Sequence, residues 1–246
     1  MQERVAIVTG GSSGLGEAIA EDFLRNGMKV VITGRNEDRL NEAKSRMENI
    51  SEHIWPIAMD VSKKEEIDNT VKQVLKRWGR IDILVNNAGV RLETPVEDIT
   101  VEEWDMILDI NLAGTFFFSQ AVIATMRKNK WGRIINMSSY GGQAGPLTSG
   151  AHYCASKAGQ LALTKSFARS LAEDGITVNA ITPAAVRTPE MDNIEPDKLA
   201  RMEQSIPVKR FGKSIEVAKM TSYLASEEAG YVTGATFDIN GGLLMR

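Results

Sequence analysis

The chain has 246 residues, 43% of them hydrophobic and 25% charged, with a formal net charge of -3. That is room for one large α/β domain with a substantial core, and the lack of any basic stretch beyond "MRKNKWGR" at 126–133 argues against a nucleic-acid partner. Cys154 is the single cysteine, and His53 and His152 stand far apart, so neither a disulfide nor a metal site is expected.

Taken in order, the chain alternates short apolar runs with longer amphipathic ones. "MQERVAIVTGG" reads as a first strand at 4–10 and not as a signal peptide, since it has no basic lead and no cleavage site. A helix follows at 14–26, with Leu15, Ala18, Ile19, Phe23 and Leu24 at helical spacing. Strands are then expected at 28–34, 53–60, 81–87, 132–138, 175–181 and 235–241, and helices at 37–49, 63–78, about 100–128, 152–173 and 214–225. The strands are rich in Val and Ile on both faces, as a parallel sheet covered on each side requires. Right-handed crossovers then make a single-domain, Rossmann-like, doubly wound sheet of about seven strands with helices on both faces. The stretch 184–213, with three prolines and mixed charge, breaks this rhythm and reads as a long irregular substrate loop or lid. No apolar run is expected to reach membrane-spanning length, and a cytoplasmic location is expected.

Between the first strand and first helix, "TGGSSGLG" places Gly10, Gly14 and Gly16 in a T-G-x-x-x-G-x-G spacing. Glycine lets the backbone turn sharply and approach a bulky anion, and the helix N-terminus offers unpaired N–H groups to a pyrophosphate. The second strand ends in "VVITGRN": Gly34 stands where an acid would hold a ribose hydroxyl, and Arg35 follows. An arginine there suits a 2′-phosphate, so NADP(H) is expected over NAD(H), with a merely solvated arginine as the alternative. Asp60, ending the third strand, is placed to accept from an adenine amino group, with Val61 beside it. Tyr153 and Lys157 in "YCASK" lie four apart, which by itself describes either an ordinary helix face or an acid with its electrostatic partner.

Together with "NNAG" at 86–89, Asn111 in "INLAGTFFF", Ser139 in "INMSSYGG", "GITVNAITP" at 175–183 and the closing "TGATFDINGG", these motifs resemble a short-chain dehydrogenase/reductase of the compact type over nearly the whole chain. The resemblance implies hydride transfer between NADP(H) and a small ketone or secondary alcohol. Tyr153 would be the acid of reduction and the base of oxidation. Lys157 would lower the tyrosine pKa and hold the nicotinamide ribose. Ser139, favoured over Ser138 by the S-x-x-G pattern, would place and polarise the substrate oxygen. Asn111 would anchor a water linking Lys157 to solvent, or bend its helix, or both. Further cofactor contacts are implied for Ser12, Ser13, Leu15, Asn87, Ala88, Gly89, Pro183, Val186 and Thr188. Ala184 departs from the family's usual P-G-x-x-x-T, a strain only if its φ is positive. A homotetramer pairing the helices at 100–128 and 152–173 is implied as well.

Within the family the chain resembles the 3-oxoacyl-acyl-carrier-protein reductases. Lys128 and Lys130 could meet an acidic carrier, but Glu173 and Asp174 stand where the carrier-binding members place a basic residue. Arg91 and Arg187 could face an anionic small substrate, or be plain surface residues. A free carbonyl or alcohol is therefore the expected substrate, and the carrier-linked reductase is the alternative. A non-catalytic NADP-binding regulator would have no need of Ser139, Tyr153 and Lys157 together.

Overall fold

Val and Ile alternate their side chains across a strand, and here both faces are covered. In the first strand Val5 and Ile7 point to one helical layer while Ala6 and Val8 point to the other, all essentially inaccessible. The computed structural model describes residues 4–145, 148–188, 191 and 194–245. Its strands are β1 (Val5–Thr9), β2 (Lys29–Gly34), β3 (Ile54–Ala58), β4 (Ile83–Asn86), β5 (Gly132–Met137), β6 (Ile176–Pro183), β7 (Val186–Arg187), β8 (Gly212–Lys213) and β9 (Thr236–Ile239). Seven of them form one all-parallel sheet in the order β3-β2-β1-β4-β5-β6-β9. The order reverses between β1 and β4, and the crevice at the carboxyl ends of those strands is where such sheets bind ligands.

The helices are α1 (Gly14–Arg25), α2 (Glu37–Met47), α3 (Lys64–Trp78), α4 (Val101–Leu108), α5 (Gly114–Asn129), α6 (Gly141–Ala144), α7 (Ala151–Leu171), α8 (Pro196–Ser205) and α9 (Ser214–Leu224). On one face Ile19 and Phe23 of α1 pack with Val217 and Leu224 of α9. On the other, α3 and α5 supply Ile67, Val74, Phe118, Val122 and Met126, with Leu171 from α7. Asp22, buried on α1, accepts from Lys219 Nζ (2.6 Å) and Ser222 Oγ (2.5 Å) of α9, which fixes the helix whose N-terminus opens the crevice.

Three sequence expectations need correction. The helix expected over about 100–128 is continuous, but a π-helical turn, Asp109–Ala113, separates α4 from α5. The stretch 184–213 is not irregular: it holds the β7–β8 pair and the ten-residue helix α8, whose Pro196 sits in the first turn where its missing N–H costs nothing. The run Val101–Asn129 also has the length and hydropathy of a membrane span, contrary to the expectation that no apolar run would. Phe118, Val122 and Met126 nevertheless turn inward onto the sheet, as in a core helix.

Candidate active site

The glycine loop is built by exclusion of side chains. A Cβ at Gly16 would lie 2.2 Å from the Gly10 carbonyl oxygen and 2.6 Å from Asn87 Nδ2, so only glycine fits. Gly10 and Gly14 have φ of 65° and 58°, conformations glycine adopts without penalty. Thr9 Oγ1 accepts from the backbone N–H of both Asn87 and Ala88 (2.9 Å each), and Asn87 Nδ2 donates to Thr9 O (2.9 Å) and Gly10 O (3.2 Å). The "NNAG" segment is thereby riveted to the loop. Ser13 is the residue before α1 and makes no side-chain cap, so the first N–H groups of the helix, near Leu15, are left for an anion. This cradle fits a dinucleotide pyrophosphate.

At the end of β2, Gly34 stands beside Ser12: a Cβ there would lie 3.8 Å from Ser12 Oγ. Arg35 is exposed and, among the described residues, makes no ion pair or hydrogen bond. Arg46 reaches back from α2 to Glu17 (Nε–Oε1 2.7 Å) and to the Ser12 carbonyl (3.4 Å). Asp60 lies just beyond β3; one carboxylate oxygen already accepts from Ser62 N (2.9 Å) and Ser62 Oγ (2.8 Å). Val61 beside it packs against Gly114 at the start of α5, where a Cβ would meet the Val61 carbonyl at 2.9 Å.

The opposite wall is formed by the end of β5 and the start of α7. Ser138 Oγ donates to the Lys157 carbonyl (2.8 Å), whereas Ser139 Oγ accepts from Gly141 N (3.1 Å) and keeps its own proton to donate. A Cβ at Gly141 would lie 3.6 Å from Ser139 Oγ, 3.8 Å from Tyr153 Cε1 and 3.3 Å from Cys154 Sγ, which places serine and tyrosine around one point. Lys157 Nζ lies 5.7 Å from the centre of the Tyr153 ring and donates to Met137 O (2.8 Å) and Gln160 Oε1 (3.2 Å). Burial pulls the Lys157 ammonium down to about 8 and raises the Cys154 thiol.

Asn111 sits in the π turn, fully buried. Its Oδ1 accepts from Val90 N (2.8 Å), and its Nδ2 donates to Val90 O (2.9 Å) and Ser156 Oγ (3.1 Å). Such turns widen a helix by one residue and recur at functional sites. Here the turn aims Asn111 at the segment after Gly89. A Cβ at Gly89 would come within 3.2 Å of Asn111 Oδ1 and 3.4 Å of Lys157 Nζ, so glycine keeps the two in line with each other.

After Pro183, Ala184 raises no strain: among the described non-glycine residues only Lys130 and Lys209 have positive φ. Its N–H donates to Ile239 O (3.1 Å), and Val186 N folds back to Ala184 O (3.0 Å). Thr188 then approaches the glycine loop, 3.8 Å from where a Gly14 Cβ would sit. The rest of the expected lid includes Pro189, Glu190, Asp192 and Asn193, which lie outside the described residues.

Two buried residues of the site escaped the sequence reading. His152 Nδ1 accepts from Tyr153 N (2.9 Å), so Nε2 carries the proton and donates to Glu103 Oε1 (2.7 Å). Hydrogen bonds from Thr94, and then from His152, hold the Glu103 carboxyl below its usual range. The N-terminal turn of α7 begins at Gly150, which has no side chain to cap it, and the imidazole fills that role for Tyr153. Gln160 is the second, a polar side chain three residues beyond Lys157 on the buried face of α7.

Comparison with known proteins shows the family. A family model described as "Enoyl-(Acyl carrier protein) reductase" matches residues 10–244. A 3-oxoacyl-acyl-carrier-protein reductase of Synechocystis sp. is 38% identical over 245 residues, covering 98% of this chain and 97% of that protein. Those of Thermotoga maritima and Haemophilus influenzae are each 35% identical, spanning all of this chain and 99% and 100% of their own. Matches of this length, on a parallel sheet with its glycine loop after β1 and a tyrosine and lysine one turn apart on α7, place the chain in the short-chain dehydrogenase/reductase family of oxidoreductases.

Proposed function

We propose that the chain transfers hydride between NADP(H) and a free small ketone or secondary alcohol, with Ser139, Tyr153 and Lys157 as its catalytic residues. The observation that carries this is the grouping of Ser139 Oγ and the Tyr153 ring around Gly141, with the Lys157 ammonium one turn behind. Gly10, Gly14 and Gly16 with the N-terminus of α1 would hold the pyrophosphate, Arg35 the 2′-phosphate and Asp60 the adenine. Asn87 to Gly89, Pro183, Val186 and Thr188 would line the nicotinamide end. The cofactor, when bound, supplies or accepts the hydride.

The chain's own residues handle the proton. Ser139 donates to the substrate oxygen and fixes it. Tyr153 gives its phenolic proton to that oxygen as charge develops there, and takes it back in alcohol oxidation. Unaided, a phenol titrates near 10, too high for a base at neutral pH; the Lys157 ammonium stabilises the phenolate and brings it into range. Asn111 holds the strand-end segment beside Lys157 and would order the water that resupplies the proton.

The family description names reduction of an enoyl group and the relatives reduction of a 3-oxoacyl group. A serine hydroxyl and a tyrosine ring on either side of Gly141 favour a substrate oxygen that two hydroxyls can serve, hence the carbonyl. The relatives' names support a second reading, a 3-oxoacyl group carried on acyl carrier protein. Against it stands Asp174, which holds Arg127 (2.7 Å) at the rim where a carrier would need free cations. An apolar cleft of about 480 Å³ between α5 and α7, lined by Leu112, Phe116, Phe117 and Leu163, supports a homotetramer built on these helices. We take 184–213 as the substrate lid of a single domain, and the cytoplasm as its location.

A screen of ketones and secondary alcohols that follows NADPH absorbance in both directions tests the reaction. Tyr153→Phe should abolish turnover and leave NADPH binding intact. Unchanged turnover in that variant would sink the mechanism.

A further inference from the structure

Gln160 is fully buried, and every hydrogen-bonding group of its amide is used. Its Nε2 donates to the Asn111 carbonyl (2.8 Å) and to Thr115 Oγ1 (2.7 Å), and its Oε1 accepts from Lys157 Nζ (3.2 Å). The amide can face only one way. Thr115 Oγ1 spends its own proton on the Asn111 carbonyl (2.8 Å), so it can only accept from Gln160. A flipped amide would set its NH₂ group against an ammonium. The Gln160 main-chain carbonyl accepts in turn from Thr164 Oγ1 (2.8 Å), which accepts from Asn136 Nδ2 of β5 (2.9 Å).

The main-chain carbonyl of Asn111 accepts from Gln160 and Thr115, and Lys157 Nζ makes its own bonds elsewhere. Of the three protons on the ammonium, one goes to Met137 O and one to Gln160 Oε1, and the third is left for the side that carries Tyr153. We infer that Gln160 is a positioning residue for the reaction: its amide oxygen anchors the Lys157 ammonium and favours its charged form, so that Lys157 can sustain the Tyr153 phenolate.

Gln160 Oε1 is a side-chain acceptor for Nζ, and burial opposes the charge it helps to keep. The titratable group that faces Nζ is Tyr153, on the same helix. β5 presents the Met137 carbonyl, the π turn the Asn111 amide and the segment after β4 Gly89, so no described carboxylate enters the balance. The inference rests on the roles proposed above for Tyr153 and Lys157.

The test is an ultraviolet difference titration of tyrosinate in the full-length chain, taken between a Gln160 background and the same background carrying Tyr153→Phe. Gln160→Met keeps the length of the side chain and removes the acceptor. Without that acceptor the neutral amine is favoured, the phenolate loses its partner, and the Tyr153 midpoint should rise by about one pH unit toward the ordinary value. In reduction of acetoacetyl-CoA, a 3-oxoacyl thioester, kcat should fall about tenfold while KM for NADPH stays within about twofold. If Gln160→Met does not fold, Thr115→Val, which unseats the amide, should move the midpoint the same way. A folded variant whose Tyr153 midpoint matches the wild type overturns the inference, whether or not kcat has fallen. Failure of the proposed reaction would look different: no carbonyl turnover in the wild type, with the titration still readable.

Discussion

Ser138 Oγ donates to the carbonyl oxygen of Lys157 at 2.8 Å, fastening the end of β5 to the helix that carries the tyrosine and lysine. Its neighbour Ser139 has the freer hydroxyl and is the serine we propose as catalytic. The two serines should therefore fail differently. Ser139→Ala should lower kcat about 100-fold and leave the melting temperature nearly unchanged. Ser138→Ala should cost about 1 kcal/mol of stability for the lost buried hydrogen bond and keep kcat within about threefold. Steady-state kinetics and thermal melts of the two variants decide the assignment; the reverse pattern would make Ser138 the substrate donor.

Arg35 stands exposed at the end of β2, with no ion-pair partner among the described residues, beside a glycine that adds no negative charge. A guanidinium in that state gains most from a phosphate, since no internal partner must be given up. Arg35→Ala should reduce kcat/KM for NADPH about 10- to 100-fold and leave that for NADH within about twofold, with the loss shrinking as salt is added. A wild-type preference for NADH would overturn the cofactor assignment.

The seven strands of the main sheet and the glycine loop could be read locally, because each depends on a periodicity or a spacing within a few residues; Ser139, Tyr153 and Lys157 stood out only through the resemblance of their motifs to the family. Asn111 was readable as a residue but not as a geometry: the π turn inserts one residue into an otherwise helical pattern, which the apolar spacing does not reveal. α8 was missed because its Pro196 and its charges hide a short amphipathic run with Leu199 and Met202 on one side. The roles of His152 and Gln160 were out of reach for another reason. Their partners Glu103 and Asn111 each lie 49 positions earlier, on the helical run alongside α7. Only the packing of those helices tells a buried polar side chain with a partner from one that faces solvent.

Lys157 carries a stability cost that its position in the site explains. Its folded pKa is about 8 against a model-peptide value of 10.5, so between those values the unfolded chain binds more protons and stability rises with pH. Below about pH 8 the charge is buried in the folded state and the cost, about 3 kcal/mol, is fully present. Lys157→Met removes the charge but leaves Met137 O and Gln160 Oε1 without their donor, which returns part of that gain. The variant should be inactive yet at least as stable as wild type at pH 7, and its relative stability should decline as pH rises from 8 to 10.5. Denaturant melts at several pH values measure this directly. A stability difference that does not change over that window would mean Lys157 is not strained by burial.

Arg127 Nε and Asp174 Oδ2 lie 2.7 Å apart at the rim formed by the end of α5 and the turn after α7. Both side chains are partly exposed, so the pair contributes less than about 1 kcal/mol to stability and can be changed without harm to the fold. Its larger effect is on who can dock. An acidic carrier approaching this rim meets Asp174 and Glu173 with Arg127 already paired. Asp174→Arg frees Arg127 and adds a second cation, and it lies far from the residues assigned to chemistry. kcat/KM for a 3-oxoacyl group on acyl carrier protein should then rise about tenfold through faster association, and the gain should vanish at high salt. Turnover of acetoacetyl-CoA should stay within about twofold. If the wild type already uses the carrier-linked substrate far better than the free thioester, and Asp174→Arg leaves that ratio unchanged, the rim does not select against the carrier and the fatty-acyl reading replaces the free-carbonyl one.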